Sequence, residues 1–159
     1  MGGVSQLMTT LIGEIALLNQ SRFAFHTYRQ AHDYSLVERP IIVGNGFDLD
    51  AYDIQLKRGG PLGWAGRVAP EKGLEDAVSV AVKMQDRSFV WGLIEDKEYA
   101  SKIEASAPFG TIEWRGFLSS NDFQKELGSC RALLNTPKWN EAYGNVVVEA
   151  MACGVPVVA

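Results

Sequence analysis

From Pro61 to the last residue, apolar stretches of strand length alternate with stretches of helical spacing: PLGWAG, GLEDAVSVAVKM, SFVWGLI, DKEYASKIEAS, TIEWRGF, SSNDFQKELGS, CRALLNT, NVVVEAMAC and PVVA. The strand-like pieces are apolar throughout instead of alternating polar and apolar, so both of their faces must be covered. Helices between successive strands give that cover when the strands run parallel. The pattern predicts an α/β fold, a doubly wound parallel sheet of Rossmann-like type. Local signals agree with it. In GLEDAVSVAVKM, Leu74, Ala77, Val78, Ala81 and Met84 recur at helical steps and form one apolar face. SSNDFQKELGS has serines where an N-cap belongs and a glycine near its end. In NVVVEAMAC three valines favour a strand, but EAMAC favours a helix and Gly154 stands where a C-cap belongs, so a helix is predicted.

The first sixty residues are less regular. PIIVGNGFDLD reads as a strand entering a glycine turn, and DIQLKRGG as a loop. LIGEIALLNQ and SRFAFHTYRQAHDYS read as a strand and a helix. The chain stops inside an apparent strand, and its opening is not a complete unit. Truncation at both ends, and hence a piece of a longer enzyme, is expected. The net charge of −4 comes without any basic block. That argues against nucleic acid as a partner, so any anionic ligand must be held by a local cluster of cations. No apolar run is long enough for a membrane span, and no secretory signal opens the chain. Cys130 and Cys153, the only cysteines, have apolar neighbours and no metal-type spacing. Buried free thiols and a cytoplasmic location follow.

In a parallel sheet, ligands bind beyond the carboxyl ends of the strands, so the loops there carry the functional expectations. GRVAPEKG follows a strand and feeds a helix. Its Arg67 and Lys72, with the free N–H groups and partial positive charge of that helix's start, suit a diphosphate. Ordinary surface charges near a turn are an equally open reading of the two cations. The loop is not a P-loop, since no Ser or Thr follows the lysine. GNGFDL has Leu49 in place of a third glycine, which removes the dinucleotide fingerprint.

The second loop is EAYGNVVVE. Gly144 allows close backbone approach, and the N–H groups of Tyr143, Gly144 and Asn145 suit phosphate oxygens. Glu141 and Glu149 flank them with no basic residue between. Carboxylates repel phosphate but accept hydrogen bonds from hydroxyls, as on a sugar or a ribose. A solvent-facing Glu149 and a loop charge at Glu141 are the bland alternative. Taken together, the two loops describe a nucleoside diphosphate sugar.

Residues 40–159 resemble the donor-binding C-terminal domain of a retaining GT-B glycosyltransferase of the glycosyl transferases group 1 (family 4) class. GRVAPEKGLEDAV resembles the family's G-R-x-x-x-E-K-G element. EAYGNVVVE matches its E-x7-E motif, EAMACGVPVVA its usual continuation, and GNGFDLDAY resembles the N-G-x-D element at the domain junction. The resemblance implies roles. Arg67 and Lys72 bind the donor diphosphate, and amides around Tyr143, Gly144 and Asn145 complete the phosphate site. Glu149 holds the ribose. Glu141, the catalytic candidate, contacts the transferred sugar. No metal or other cofactor is expected in this class, where cations and a helix dipole take up leaving-group charge. The implied reaction transfers a hexose to an unknown acceptor with retention, and WNEAYGNVVVEAMACG resembles members that use UDP-glucose.

The departures bear on activity. Residues 1–39 match at most a remnant of the acceptor domain and linker, where QSRFAFHTY resembles that domain's last element. His26 and His32 lie there without catalytic context and read as surface histidines. The family's elements after Ala159 are not present, so this chain alone is expected to be inactive. A non-catalytic nucleotide-sugar-binding module is the alternative reading.

Overall fold

The computed structural model describes residues 6–34, 36–56 and 59–159. Part of DIQLKRGG, the last residue of SRFAFHTYRQAHDYS and the opening residues 1–5 lie outside the described residues. The chain divides into two compact units, one of residues 48–138 and 145–159, the other of residues 1–47 and 139–144.

The larger unit is a five-stranded parallel sheet. Its strands are β3 (Leu62–Ala65), β4 (Ser88–Trp91), β5 (Ile112–Gly116), β6 (Ala132–Leu134) and β7 (Val157–Val158), in the order β5-β4-β3-β6-β7. All pairings are parallel, with Leu62 opposite Ser88 on one side and Ala132 on the other. Four helices connect the strands: α3 (Leu74–Met84), α4 (Lys97–Ala105), α5 (Ser120–Leu127) and α6 (Asn145–Ala152).

The period-two alternation of the strands explains the two-sided cover. Leu62, Trp64, Val90 and Leu134 point to the face that packs with Leu74, Ala77, Val78 and Ala81 of α3 and Ala100 and Ile103 of α4. Trp91 and Leu133 point to the other face, with Leu127, Cys130, Ala150, Cys153 and Val155. Gly63 is required on that face, because a Cβ there would lie 2.9 Å from the Trp91 ring. Met84, at the end of the predicted α3 face and the last residue of that helix, is 54 % exposed.

Caps set the helix starts. Asp96 and Ser119 accept from the backbone N–H groups of Tyr99 and Asp122, satisfying donors that the first helical turn leaves open. Gly154 ends α6 at φ +79°, as the sequence suggested. Cys130 and Cys153 are buried free thiols, and burial, helped by Glu126, pushes the Cys130 thiol up to about 12.

The smaller unit contains α1 (Gln6–Leu18), β1 (Ala24–Phe25), α2 (Tyr28–His32) and β2 (Ile41–Ile42). The two strands pair in parallel, Ala24 opposite Ile41, beside a small core of Phe25, Ala31 and Tyr34. Two expectations are corrected here. LIGEIALLNQ is not a strand, because most of it belongs to α1; a short apolar run has the same composition in a helix as in a buried strand. SRFAFHTYRQAHDYS is not one helix. Residues 24–25 pair with β2, and the helix starts only at Thr27, whose side chain accepts from Gln30 N at 3.0 Å. The strand expected in PIIVGNGFDLD is present as β2, outside the main sheet.

Candidate functional site

In the larger unit the sheet order reverses direction between β3 and β6, since chain order runs outward from this pair on both sides. Such a switch point leaves a crevice at the carboxyl ends of the strands. A cavity of about 370 Å³ lies at those ends. Residues 65–67 follow β3 into it. Gly92 and Leu93 enter after β4, and Phe117 and Leu118 after β5. Asn145, Val146 and Glu149 enter from α6.

The β3 loop is shaped by close backbone approaches. Gly66 N donates to Trp91 O at 3.0 Å, and Gly92 N to Gly116 O at 2.8 Å. A Cβ at Gly92 would lie 1.9 Å from Gly66 O. The loop then makes a short 3-10 turn, Pro70–Lys72, and enters α3 through Gly73 at φ +66°. Arg67 lines the cavity half exposed, between two carboxylates: Nη1 lies 2.5 Å from Glu95 Oε2 and Nη2 3.2 Å from Glu71 Oε1. Lys72 is not among the cavity residues; its stem lies beside Gly66.

The start of α3 is internally engaged. Gly73 N donates to Pro70 O and Asp76 N to Gly73 O, both at 3.1 Å. The first-turn acids Glu75 and Asp76 meet Lys138, and Tyr99 donates to Glu75. Burial, then that hydrogen bond, raises the Tyr99 phenol well above its usual range. Thr136 ties the next loop on: its Oγ1 donates to Gly73 O at 2.7 Å and accepts from Trp64 Nε1 at 3.3 Å. The helix start that the sequence offered to a diphosphate thus faces its own acidic residues. The cavity is lined instead by the first turns of α6, at Asn145 and Val146, and of α5, at Ser120.

Glu149 lies one turn into α6, half buried against the cavity. Burial alone raises its pKa above the ordinary carboxylate value. Its charge in turn helps burial raise Tyr52 and Cys153. Arg67, Asn145 and Glu149 are therefore brought together on one cavity. Glu141, Tyr143 and Gly144 belong to the smaller unit. There Glu141 Oε1 accepts from Trp139 Nε1 at 2.6 Å. Tyr143 stacks on Phe47, with centroids 6.1 Å apart, and Gly144 has φ +84°. Among the described residues no group of three or more His, Cys, Asp or Glu side chains is placed to hold a metal ion. No helix there is long and apolar enough to cross a membrane.

The cavity walls after β4 and β5, notably Leu93 and Phe117, were missed by sequence reasoning. The signal was available, because Gly92 and Gly116 mark the strand ends where such walls form.

The model of the family described as "Glycosyl transferases group 1" matches residues 62–159, more than half of the chain and all of the larger sheet. The chain belongs to the glycosyl transferases group 1 family. Its α/β sheet is a half of the GT-B fold. Two relatives are similar to it in sequence. A 2-deoxystreptamine glucosyltransferase of Streptomyces kanamyceticus is 32 % identical over 110 residues, covering 65 % of this chain and 28 % of that protein. A 2-deoxystreptamine N-acetyl-D-glucosaminyltransferase of Streptomyces fradiae is 30 % identical over 104 residues, covering 60 % and 24 %. The chain thus spans about a quarter of the length of these relatives. Among solved structures, Anabaena HepE in complex with UDP and glucose superposes with a TM-score of 0.78 at 22 % identity, over 98 % of this chain and 48 % of that one. At that identity the likeness is one of fold.

Proposed function

We propose that the chain carries the donor-binding half of a retaining hexosyltransferase, with a nucleoside diphosphate sugar, UDP-glucose first among candidates, as donor. The observation that carries this reading is the pairing of Arg67 and Glu149 on one cavity at the carboxyl ends of the strands. A guanidinium suits a diphosphate and a half-buried carboxylate suits the ribose hydroxyls. HepE, crystallised with UDP-glucose, supports the choice of donor through its shared fold.

In this reading the bond between the sugar's anomeric carbon and the diphosphate breaks, and a bond to the acceptor oxygen forms on the same face. The acceptor proton leaves with the phosphate. Arg67 and the first amides of α6, which line the cavity, take up the charge that grows on the leaving diphosphate, and Lys72, outside the cavity lining but with its stem beside Gly66, is assigned to the same group. Glu141, eight residues before Glu149, is assigned to the sugar itself.

Calorimetric titration of UDP, GDP and ADP, and of their glucose conjugates, into the protein tests the proposal. Saturable binding with UDP preferred is the expected result. Failure of every nucleoside diphosphate to bind would overturn it.

A further inference from the structure

The EAYG segment is held by side chains more than a hundred residues away in sequence, inside the smaller unit. Thr27 Oγ1 donates to Ala142 O at 3.0 Å. Arg29 Nε donates to Asn140 Oδ1 at 2.9 Å, and Asn140 Nδ2 donates to Asp33 Oδ1 at 3.1 Å. The Asn140 amide is thereby used on both sides, its oxygen toward a cation and its nitrogen toward an anion. These contacts flank Glu141 at the residue before it and the residue after it. The ring of Tyr143 is set by the same unit. Phe47 stacks on it at 21°, and His26 meets it edge-on at 67°, its Nδ1 2.8 Å from Gly44 O.

None of residues 139–144 is fully buried. The contacts therefore hold a surface loop in one shape; they do not fill a core. A loop with no core residue of its own loses its conformation easily. Each net hydrogen bond adds a factor of roughly two to ten in favour of the bonded form. The short helix that supplies the contacts is itself fixed, since Thr27 accepts from Gln30 N and His26 N donates to Gln30 Oε1 at 2.8 Å.

We propose that Thr27, Arg29 and Asp33 are positioning residues that bracket Asn140 and Ala142 and so fix the conformation of the loop that carries Glu141, the residue assigned above to the donor's sugar. The role of Glu141 rests on the proposed function; the bracket itself does not.

The test uses Asn140→Ala, Thr27→Val and Thr27→Ser in the protein, with two readouts. The four tryptophans give four indole N–H resonances, and Trp139→Phe assigns the one bonded to Glu141. Asn140→Ala and Thr27→Val are expected to speed exchange of the Trp139 indole N–H roughly two- to tenfold. Thr27→Ser, and the other three indoles in every variant, are expected to stay unchanged. With UDP and UDP-glucose as probes, the affinity ratio of UDP-glucose to UDP falls by a similar factor in those two variants while UDP affinity holds. An unmoved Trp139, or all four indoles accelerating together, overturns the bracket. Faster Trp139 exchange with an unchanged affinity ratio overturns its role toward the sugar. If the unaltered protein binds neither probe, the glycosyltransferase reading falls, and indole exchange still decides the bracket.

Discussion

Replacing Gly73 by alanine tests how tightly the loop after β6 is locked to the loop between β3 and α3. Gly73 has φ +66°, and an added Cβ would lie 1.9 Å from the Thr136 carbonyl oxygen. An ordinary contact needs 3.4 Å or more, so one backbone must move by well over an ångström. Two costs add. The left-handed conformation costs a non-glycine residue about 1–2 kcal/mol, and forcing atoms into a packed site costs about 1–3 kcal/mol. The comparison is Gly110→Ala, at φ +82° with nothing within 4 Å of its added Cβ. That variant carries the conformational cost alone. The difference between the two, about 1–3 kcal/mol, is the clash. With a urea m-value of about 2 kcal/mol/M, the Gly73→Ala midpoint should fall about 0.5–1.5 M below that of Gly110→Ala. Tryptophan fluorescence follows the transition, since Trp64 reports on the same loop through Thr136. Lys72 adjoins Gly73, so UDP binding should weaken in Gly73→Ala and hold in Gly110→Ala. Coincident midpoints would refute the lock.

Three further outcomes follow from the site. Arg67→Ala should weaken UDP by about 1.5–3 kcal/mol in calorimetry, whereas Glu95→Gln should tighten it by less than about 1 kcal/mol, because an exposed pair competes with the diphosphate only modestly. Glu149→Gln should weaken UDP yet raise the urea midpoint at pH 7: the folded-state pKa of Glu149 is raised, so its favourable contribution is complete only below the ordinary carboxylate value and is lost as pH rises, and the gap between variant and wild type should close below about pH 4. Glu126 behaves oppositely. Its pKa is lowered, chiefly by the Arg115 hydrogen bond and also by Trp91. Glu126→Gln should therefore cost about 1–2 kcal/mol at pH 7 in urea unfolding, a loss that shrinks as pH falls through the carboxylate range.

The sheet was legible because its strands are apolar on both faces and its helices carry their own caps, as at Asp96 and Ser119. Local residue types decide those features. The smaller unit was not legible for the same reason. The apolar residues of α1 suit a strand as well as a helix, and only their neighbours in space choose between them. Arg67, Lys72, Glu141 and Glu149 stood out by chemistry and spacing. What the chain could not reveal was their company. Arg67 sits between Glu71 and Glu95, the latter 28 residues away. Thr27 reaches Ala142 across 115. Contacts at such separations leave no periodic trace in one sequence.

The two charged groups on the cavity are held in opposite ways, and that opposition explains why a glutamate occupies an apolar helix. Arg67 is paired with two carboxylates at the protein surface, so in the proposed function a diphosphate would have to displace Glu71 and Glu95 from the guanidinium and bind against their remaining charge. Glu149 is partly removed from water, and burial alone disfavours its charged form and raises its pKa. That cost is carried by the free protein. In the proposed function a ribose diol would return hydrogen bonds to that carboxylate and recover the lost solvation, so the ligand would gain what the fold gives up. A glutamine in the same place would remove the cost and weaken the return. In the proposed function, Arg67 would recognise a charge that many anions share. Glu149 would select for a neutral hydroxyl pair beside that charge, and so would separate a nucleotide from inorganic diphosphate.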